Sequence, residues 1–259
     1  MDAVNGKAKA GGEGNAALNA SRSYCMDTVR RYDRDRFLLA LTAPAKRREA
    51  LWALFAFNHE IAKTREVVSE PTLGLIRLQW WRDALDHLYQ GKILQHEVLT
   101  ALAPVIRDHD LPRAWFDDLI NAREADLGGK PLTSLQELEN YARDSATPLN
   151  RMVLKILGQD AGEETVQAVS TAYALTGLLR AAPFKNNFLP HGVSAGQVAD
   201  SAGRHLDEAG PVRGYLKASS ALTRLYLARI KRSNYELSDM RLNLPPVGFA
   251  IRALAGGFR

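Results

Sequence analysis

The sequence predicts an all-α fold, on three observations. Apolar residues recur at helical spacing, as Leu73, Ile76, Trp80 and Leu88 do beside Leu78, Trp81 and Leu85. Breakers stand a helix length apart, at Glu70-Pro71, Gly91, Leu111-Pro112, Gly128-Gly129-Lys130-Pro131 and Gly158. No segment alternates convincingly as a strand. With 259 residues, 46% of them hydrophobic, one sizeable core in one domain is expected.

Taken in order, residues 1–22 are rich in Gly, Ala and Asn and carry no apolar stretch. They read as a disordered tail, neither a secretory signal nor an Arg/Ser-rich transit peptide, and leave 23–259 as the helical domain. A first helix is expected from Met26 to Leu41. Pro44 opens a second, Ala45 to Val68, whose middle, Ala50 to Phe57, is unbroken apolar sequence and so buried all round. A third starts at Pro71 and ends at Gly91. Further helices cover His96 to Asp108, Arg113 to Leu127, Ser134 to Gly158 and Gly162 to Ala182. Ser194 with Gln197 forms a capping box that opens a short helix. A basic helix, Gly214 to Ser233, and a final one around Val247 to Ala255 complete the series. No run approaches the roughly 18 apolar residues of a membrane span.

Charge and cysteine narrow the classes. The single cysteine, Cys25, excludes an internal disulfide framework and suits a reducing compartment. Net charge is +5, and from Pro211 onward nine basic residues face only Glu236 and Asp239, a local excess of +7. Such an end suits an anionic partner. Nucleic acid is disfavoured, because neither zinc-finger spacing nor an aromatic-rich RNA-binding strand is present.

Several motifs are discounted. Gly192-Val193-Ser194-Ala195-Gly196 matches a nucleophile elbow but has Pro190 and His191 where a strand is required. His59-Glu60-Ile61-Ala62-Lys63 begins a zinc motif and ends in Lys. Asp83 and Asp86 share a helix face beside Arg82 and read as solvated rather than as a cation site. The Trp80-Trp81 pair reads as core rather than as a ligand platform.

Two longer segments resemble a known family. Ala50-Leu51-Trp52-Ala53-Leu54-Phe55-Ala56-Phe57-Asn58-His59-Glu60 running on to Glu66, and Tyr173-Ala174-Leu175-Thr176-Gly177-Leu178-Leu179-Arg180 running on to Lys185, look like the signature helices of the squalene/phytoene synthase family. Tyr24-Cys25, with Val29-Arg30-Arg31-Tyr32-Asp33, resembles that family's opening helix, which lays basic side chains over a diphosphate. The resemblance implies a single-domain isoprenoid-synthase-like helical bundle with a cavity for a prenyl chain.

In that family each signature helix carries an Asp-rich motif that holds magnesium on a prenyl diphosphate. Here the first-motif positions fall on Ala62, Lys63 and Glu66, and the second-motif positions on Ala181, Phe184 and Lys185. The family's six acids carry −6, whereas these six residues sum to +1. No register shift recovers an acid, since 181–192 contains none. Magnesium wants carboxylate oxygens, so no metal and no cofactor is expected, and the chain reads as a scaffold without the synthase chemistry.

A narrower resemblance rests on Ala56-Phe57-Asn58-His59-Glu60-Ile61-Ala62, Val68-Ser69-Glu70-Pro71-Thr72-Leu73-Gly74, Leu138-Glu139-Asn140-Tyr141-Ala142 and Leu178-Leu179-Arg180-Ala181-Ala182-Pro183-Phe184. These look like the divergent branch that contains a mitochondrial respiratory complex I assembly factor and its alphaproteobacterial relatives. It implies a non-catalytic protein whose partners are complex I subunits or assembly intermediates. Two alternatives stay open: a metal-independent binder of isoprenoid or anionic lipid, and an active prenyltransferase with relocated acids.

Arg30, Asn58, Lys63, Arg65, Arg180 and Lys185 are the candidate pocket and anion-binding residues, unless the lysines simply pair with Glu60 and Glu66. Arg213, Lys217, Arg224 and Lys231 form one helical stripe. With an apolar face of Leu222, Leu225, Tyr226 and Ile230 beside it, the stripe is the candidate membrane contact, unless that face packs on the core. The expected location is cytoplasmic, peripheral on the inner face of the cytoplasmic membrane.

Overall fold

The computed structural model describes residues 2–128, 131–184, 189–238 and 246–254, the side chains of 2–14 and 254 excepted. These residues form α-helices joined by loops, with no strand among them.

Helix α1 (Asp2–Tyr32) takes in residues assigned above to a disordered tail. Ala16, Ala17, Leu18 and Ala20 are strong helix formers, a preference that the Gly and Asn content concealed. Further along, Ser21 is buried and Arg22 pairs with Glu49 at 3.2 Å. The helix expected from Met26 to Leu41 is broken at Asp33, and α2 (Arg34–Leu41) starts afresh. The Asp33 carboxylate accepts the Arg36 N–H at 3.1 Å and Arg36 Nη1 at 2.6 Å. A capping aspartate thus competes with continuation of the helix. The helix expected over 45–68 is likewise α3 (Ala45–Ala62) and α4 (Thr64–Val67), joined at Lys63.

The later elements follow their sequence signals closely. Pro71 is the first residue of α5 (Pro71–Tyr89). The imidazole Nδ1 of His96 accepts the Val98 N–H at 3.1 Å and caps α6 (Glu97–His109). Next come α7 (Arg113–Leu127) and α8 (Leu135–Leu157), the latter capped by Ser134 and ended by Gly158 at φ 63°. α9 (Glu163–Ala181) runs into a 3-10 turn at Ala182–Phe184. Both halves of the Ser194/Gln197 capping box form at the start of α10 (Ala195–Glu208). α11 (Gly214–Arg232) and α12 (Val247–Leu254) close the chain.

α3 is the hub. It packs on α1, α6 and α8, and Leu51, Leu54, Phe55, Phe57 and Ile61 are fully buried along it. α9 lies against α8, α10 and α11 and carries a smaller apolar cluster with Leu138, Val198 and Ile230. α5 packs closely on α7 because Gly74 has no side chain: a Cβ there would sit 2.6 Å from Leu127 Cδ1. The tryptophan pair divides. Trp81 is 1% exposed and meets the Phe57 ring edge-on, whereas Trp80 is 40% exposed. On α11, Leu222, Tyr226 and Ile230 are buried in the core and only Leu225 stays largely exposed. The stripe of Arg213, Lys217, Arg224 and Lys231 lies on the surface, and Arg224 pairs with Asp207 at 2.9 Å. No helix of the described residues is long and apolar enough to cross a membrane.

Candidate functional site

A cleft of about 530 Å³ opens between the α1–α2 corner, α8, α9 and α11. The break at Asp33 makes it, by turning a run of alternating charge, Arg31 to Arg36, along its wall. Asp35 is buried there, and both its oxygens are used. Arg180 Nη1 donates to Oδ2 at 2.5 Å and the Tyr226 hydroxyl to Oδ1 at 2.7 Å. The Arg180 guanidinium also lies 3.7 Å from the Tyr226 ring centroid. Burial works against the Arg180 charge, but Asp35 more than offsets it and holds the guanidinium more firmly protonated than usual. Burial and Asp35 together push the Tyr226 hydroxyl well above its ordinary pKa, so it is a neutral donor.

Arg36 lies over the Tyr173 ring, 5.3 Å from its centroid, and pairs with Asp33. Arg123 donates to the Tyr141 hydroxyl at 3.0 Å and approaches Asp126 at 3.5 Å. Arg31 and Arg34 also line the cleft, and among the described residues neither makes an ion pair. Five guanidinium groups therefore face two carboxylates, a formal excess of +3. The rest of the lining is mixed: Ala146, Ala174, Gly177, Leu178, Ala181 and Phe184 are apolar, and Tyr32, Tyr141, Ser145, Tyr173, Thr176, Thr223 and Tyr226 carry hydroxyls.

A second cleft of about 290 Å³ adjoins the first through shared Tyr32, Arg123, Tyr141 and Leu178. The first-motif positions Ala62, Lys63 and Glu66 line it, with Arg65. Lys63 Nζ is held by Glu60 Oε1 at 2.5 Å, and Arg77 takes Glu60 Oε2 at 2.7 Å. His59 stacks on Tyr32 at 4.8 Å, and burial, with Lys63 nearby, lowers its pKa. The two positions held by alanine, Ala62 and Ala181, thus face neighbouring clefts from α3 and α9. Among the described residues no three His, Cys, Asp or Glu side chains gather to hold a metal ion.

Of the residues expected at an anion site, Arg180 reaches the larger cleft and Lys63 and Arg65 the smaller. Two of the expected residues line neither cleft. Arg30 is exposed, pairs with Asp27 at 3.0 Å and lines neither cleft. One residue along a helix turns the side chain by about 100°, and it is Arg31 that faces inward. Asn58 is 3% exposed within the apolar part of α3, and its buried Oδ1 has no hydrogen-bond partner. Lys185 lies outside the described residues. Sequence reasoning missed Arg34, Arg36 and Arg123. The signal available was the Arg34-Asp35-Arg36 alternation directly after a capping aspartate.

Residues 29–187 match the squalene/phytoene synthase family profile. The chain belongs to the squalene/phytoene synthase family. It is 34% identical over 203 residues to NADH dehydrogenase (ubiquinone) complex I, assembly factor 6, of Bos taurus, covering 74% of this chain and 61% of that protein. The chain thus spans about three fifths of that relative's length. A 15-cis-phytoene synthase of Synechocystis is 24% identical over 182 residues, 64% of this chain and 53% of the enzyme. The crystal structure of a dehydrosqualene synthase superimposes with a TM-score of 0.76 at 17% identity, covering 92% of this chain and 95% of that one. At that identity the likeness establishes the fold alone, an isoprenoid-synthase-like helical bundle.

Proposed function

We propose that this chain assists assembly of respiratory complex I and does not condense prenyl diphosphates. One observation carries the reading: 34% identity to a complex I assembly factor over 74% of the chain. The site supports its second half. Alanine occupies two positions where the family resemblance implies acids, and a third is held by Lys63, which pairs with Glu60. Departure of a diphosphate relies on metal ions stabilising the leaving oxygens. Deleting the gene should lower assembled complex I, read on native gels by NADH-oxidising activity, and leave carotenoids and hopanoids unchanged. Loss of those lipids with intact complex I would return the chain to the biosynthetic enzymes.

A second reading, compatible with the first, is metal-independent binding of an isoprenoid or lipid with an anionic headgroup. The formal excess of +3 in a partly apolar cleft, with Arg31 and Arg34 in no ion pair among the described residues, favours it. Farnesyl diphosphate should then bind the purified protein equally well with magnesium and with chelator, and less well as salt rises. Affinity that depends on magnesium would defeat this reading.

A further inference from the structure

Helix α5 carries a surface that neither cleft uses. Along one stripe stand Glu70, Leu73, Ile76, Trp80 and Asp83, spaced three, three, four and three residues apart. That spacing keeps them on one helical face. Leu73, Ile76 and Trp80 are 48%, 62% and 40% exposed. The opposite face packs on α7 through Gly74 and Leu127. The apolar stripe is thus presented outward on a firmly seated helix.

The ends of the stripe are acidic. Among the described residues Glu70 and Asp83 make no ion pair; the Asp83 carboxylate receives only the Gln79 amide at 2.8 Å, and its backbone carbonyl meets His87 Nδ1 at 2.7 Å. This charge selects the occupant. An anionic lipid surface would repel both ends. A second copy of the chain, stacked on this stripe in either direction, would set acid against acid. A segment with apolar residues at helical spacing and Lys or Arg at both ends satisfies every group.

We propose that the α5 stripe docks an amphipathic helix of another protein, its apolar face on Leu73, Ile76 and Trp80 and its basic ends against Glu70 and Asp83. Helix-on-helix packing buries the stripe, and Trp80, seated edge-on against Trp81 at 4.9 Å, serves as the anchor. The contact rests on the assembly reading only in supposing that the chain has a protein partner.

The test places a photo-crosslinking amino acid at position 76 of the full chain in its own cells, with position 231 as a control. The crosslinked peptide is identified by mass spectrometry. An amphipathic segment flanked by Lys or Arg, captured at 76 and not at 231, is the expected result. In a second arm the probe stands at position 79, and Ile76→Lys should reduce the capture at least tenfold. Ile76 is exposed, so circular dichroism and melting temperature should match the parent. Crosslinks to lipid, to this chain itself or to an acid-flanked segment would overturn the proposal, as would no capture above the control. The assembly role fails separately. If the captured protein has no part in complex I, the surface stands and the role falls. If deletion lowers complex I but nothing is captured at 76, the role stands and the surface falls.

Discussion

At the scale of single residues, the buried Asp35 network ties α2, α9 and α11 together. Removing one member of a buried ion pair leaves an unpaired charge, at about 3–5 kcal/mol. Asp35→Asn should therefore lower unfolding stability by roughly that much, read from the urea midpoint. Asp35→Asn combined with Arg180→Met should recover part of the loss, because no charge is then stranded. A double variant less stable than the single would refute the coupling. A second residue-scale effect depends on pH. Burial lowers the pKa of His96, although Glu60 and Glu97 pull the other way and Lys63 and Arg77 reinforce the lowering. A depressed folded pKa means that the unfolded chain takes up the proton first, so stability is full above the ordinary value near 6.5 and is lost as pH falls below it. Protonation also removes the lone pair that caps α6. His96→Asn keeps a capping acceptor and removes the titration. The urea midpoint should fall from about pH 7.5 to 5.5 in the parent and fall less in the variant. The Lys63–Glu60 pair was readable as an i, i+3 relation within the sequence. The Arg180–Asp35 pair, 145 positions apart, was not, because nothing local marks Asp35 as the partner of a distant arginine.

At the scale of elements, most helices were legible because their ends carry strong local chemistry: Pro71, the Ser194/Gln197 box, and Gly158 in the left-handed region. The breaks at Asp33 and Lys63 were not, since both lie inside continuous helical periodicity. The corner at Asp33 builds the larger cleft, so a missed break meant missed site residues: Arg34 and Arg36 were read as one helix with the rest. The glycines within helices invite a contrasting pair of substitutions. Gly→Ala inside a helix gains about 1 kcal/mol of propensity. At Gly203 on α10 nothing lies within 4 Å of the added Cβ, so Gly203→Ala should stabilise by up to about that amount. At Gly74 the Cβ meets both Leu127 methyl carbons inside 3 Å. Overpacking costs about 1–3 kcal/mol, enough to reverse the sign. Gly74→Ala should lower the melting temperature while Gly203→Ala raises it. Equal shifts in one direction would show that α5 is not wedged on α7 as described.

At the scale of the molecule, surface charge is unevenly spread, and its excess lies toward the C-terminal end. α5, with its acid-flanked apolar stripe, packs on α4, α6 and α7, whereas α11 packs on α2, α9 and α10. A protein-binding face and a basic face thus occupy different neighbourhoods of the bundle. We propose that α11 supplies weak membrane contact, and its form follows from burial. Leu222, Tyr226 and Ile230 are buried in the core, so insertion of an apolar face is not available. What remains is electrostatic. Each basic residue near an anionic bilayer contributes roughly 1 kcal/mol. Arg224 is partly engaged by Asp207, whereas Arg213, Lys217 and Lys231 make no ion pair among the described residues. Three or so such residues give reversible association, screened over about 8–10 Å at physiological salt. The purified protein should co-sediment with phosphatidylglycerol vesicles at low salt, release as salt approaches physiological strength, and ignore phosphatidylcholine vesicles throughout. Lys217→Gln, Arg224→Gln and Lys231→Gln together should abolish sedimentation while the protein stays folded, with at most a small fall in melting temperature from the lost Arg224 bonds to the Leu206 carbonyl and Asp207. Retention at high salt would mean that apolar surface inserts somewhere else, and unchanged sedimentation of the triple variant would place any contact away from α11.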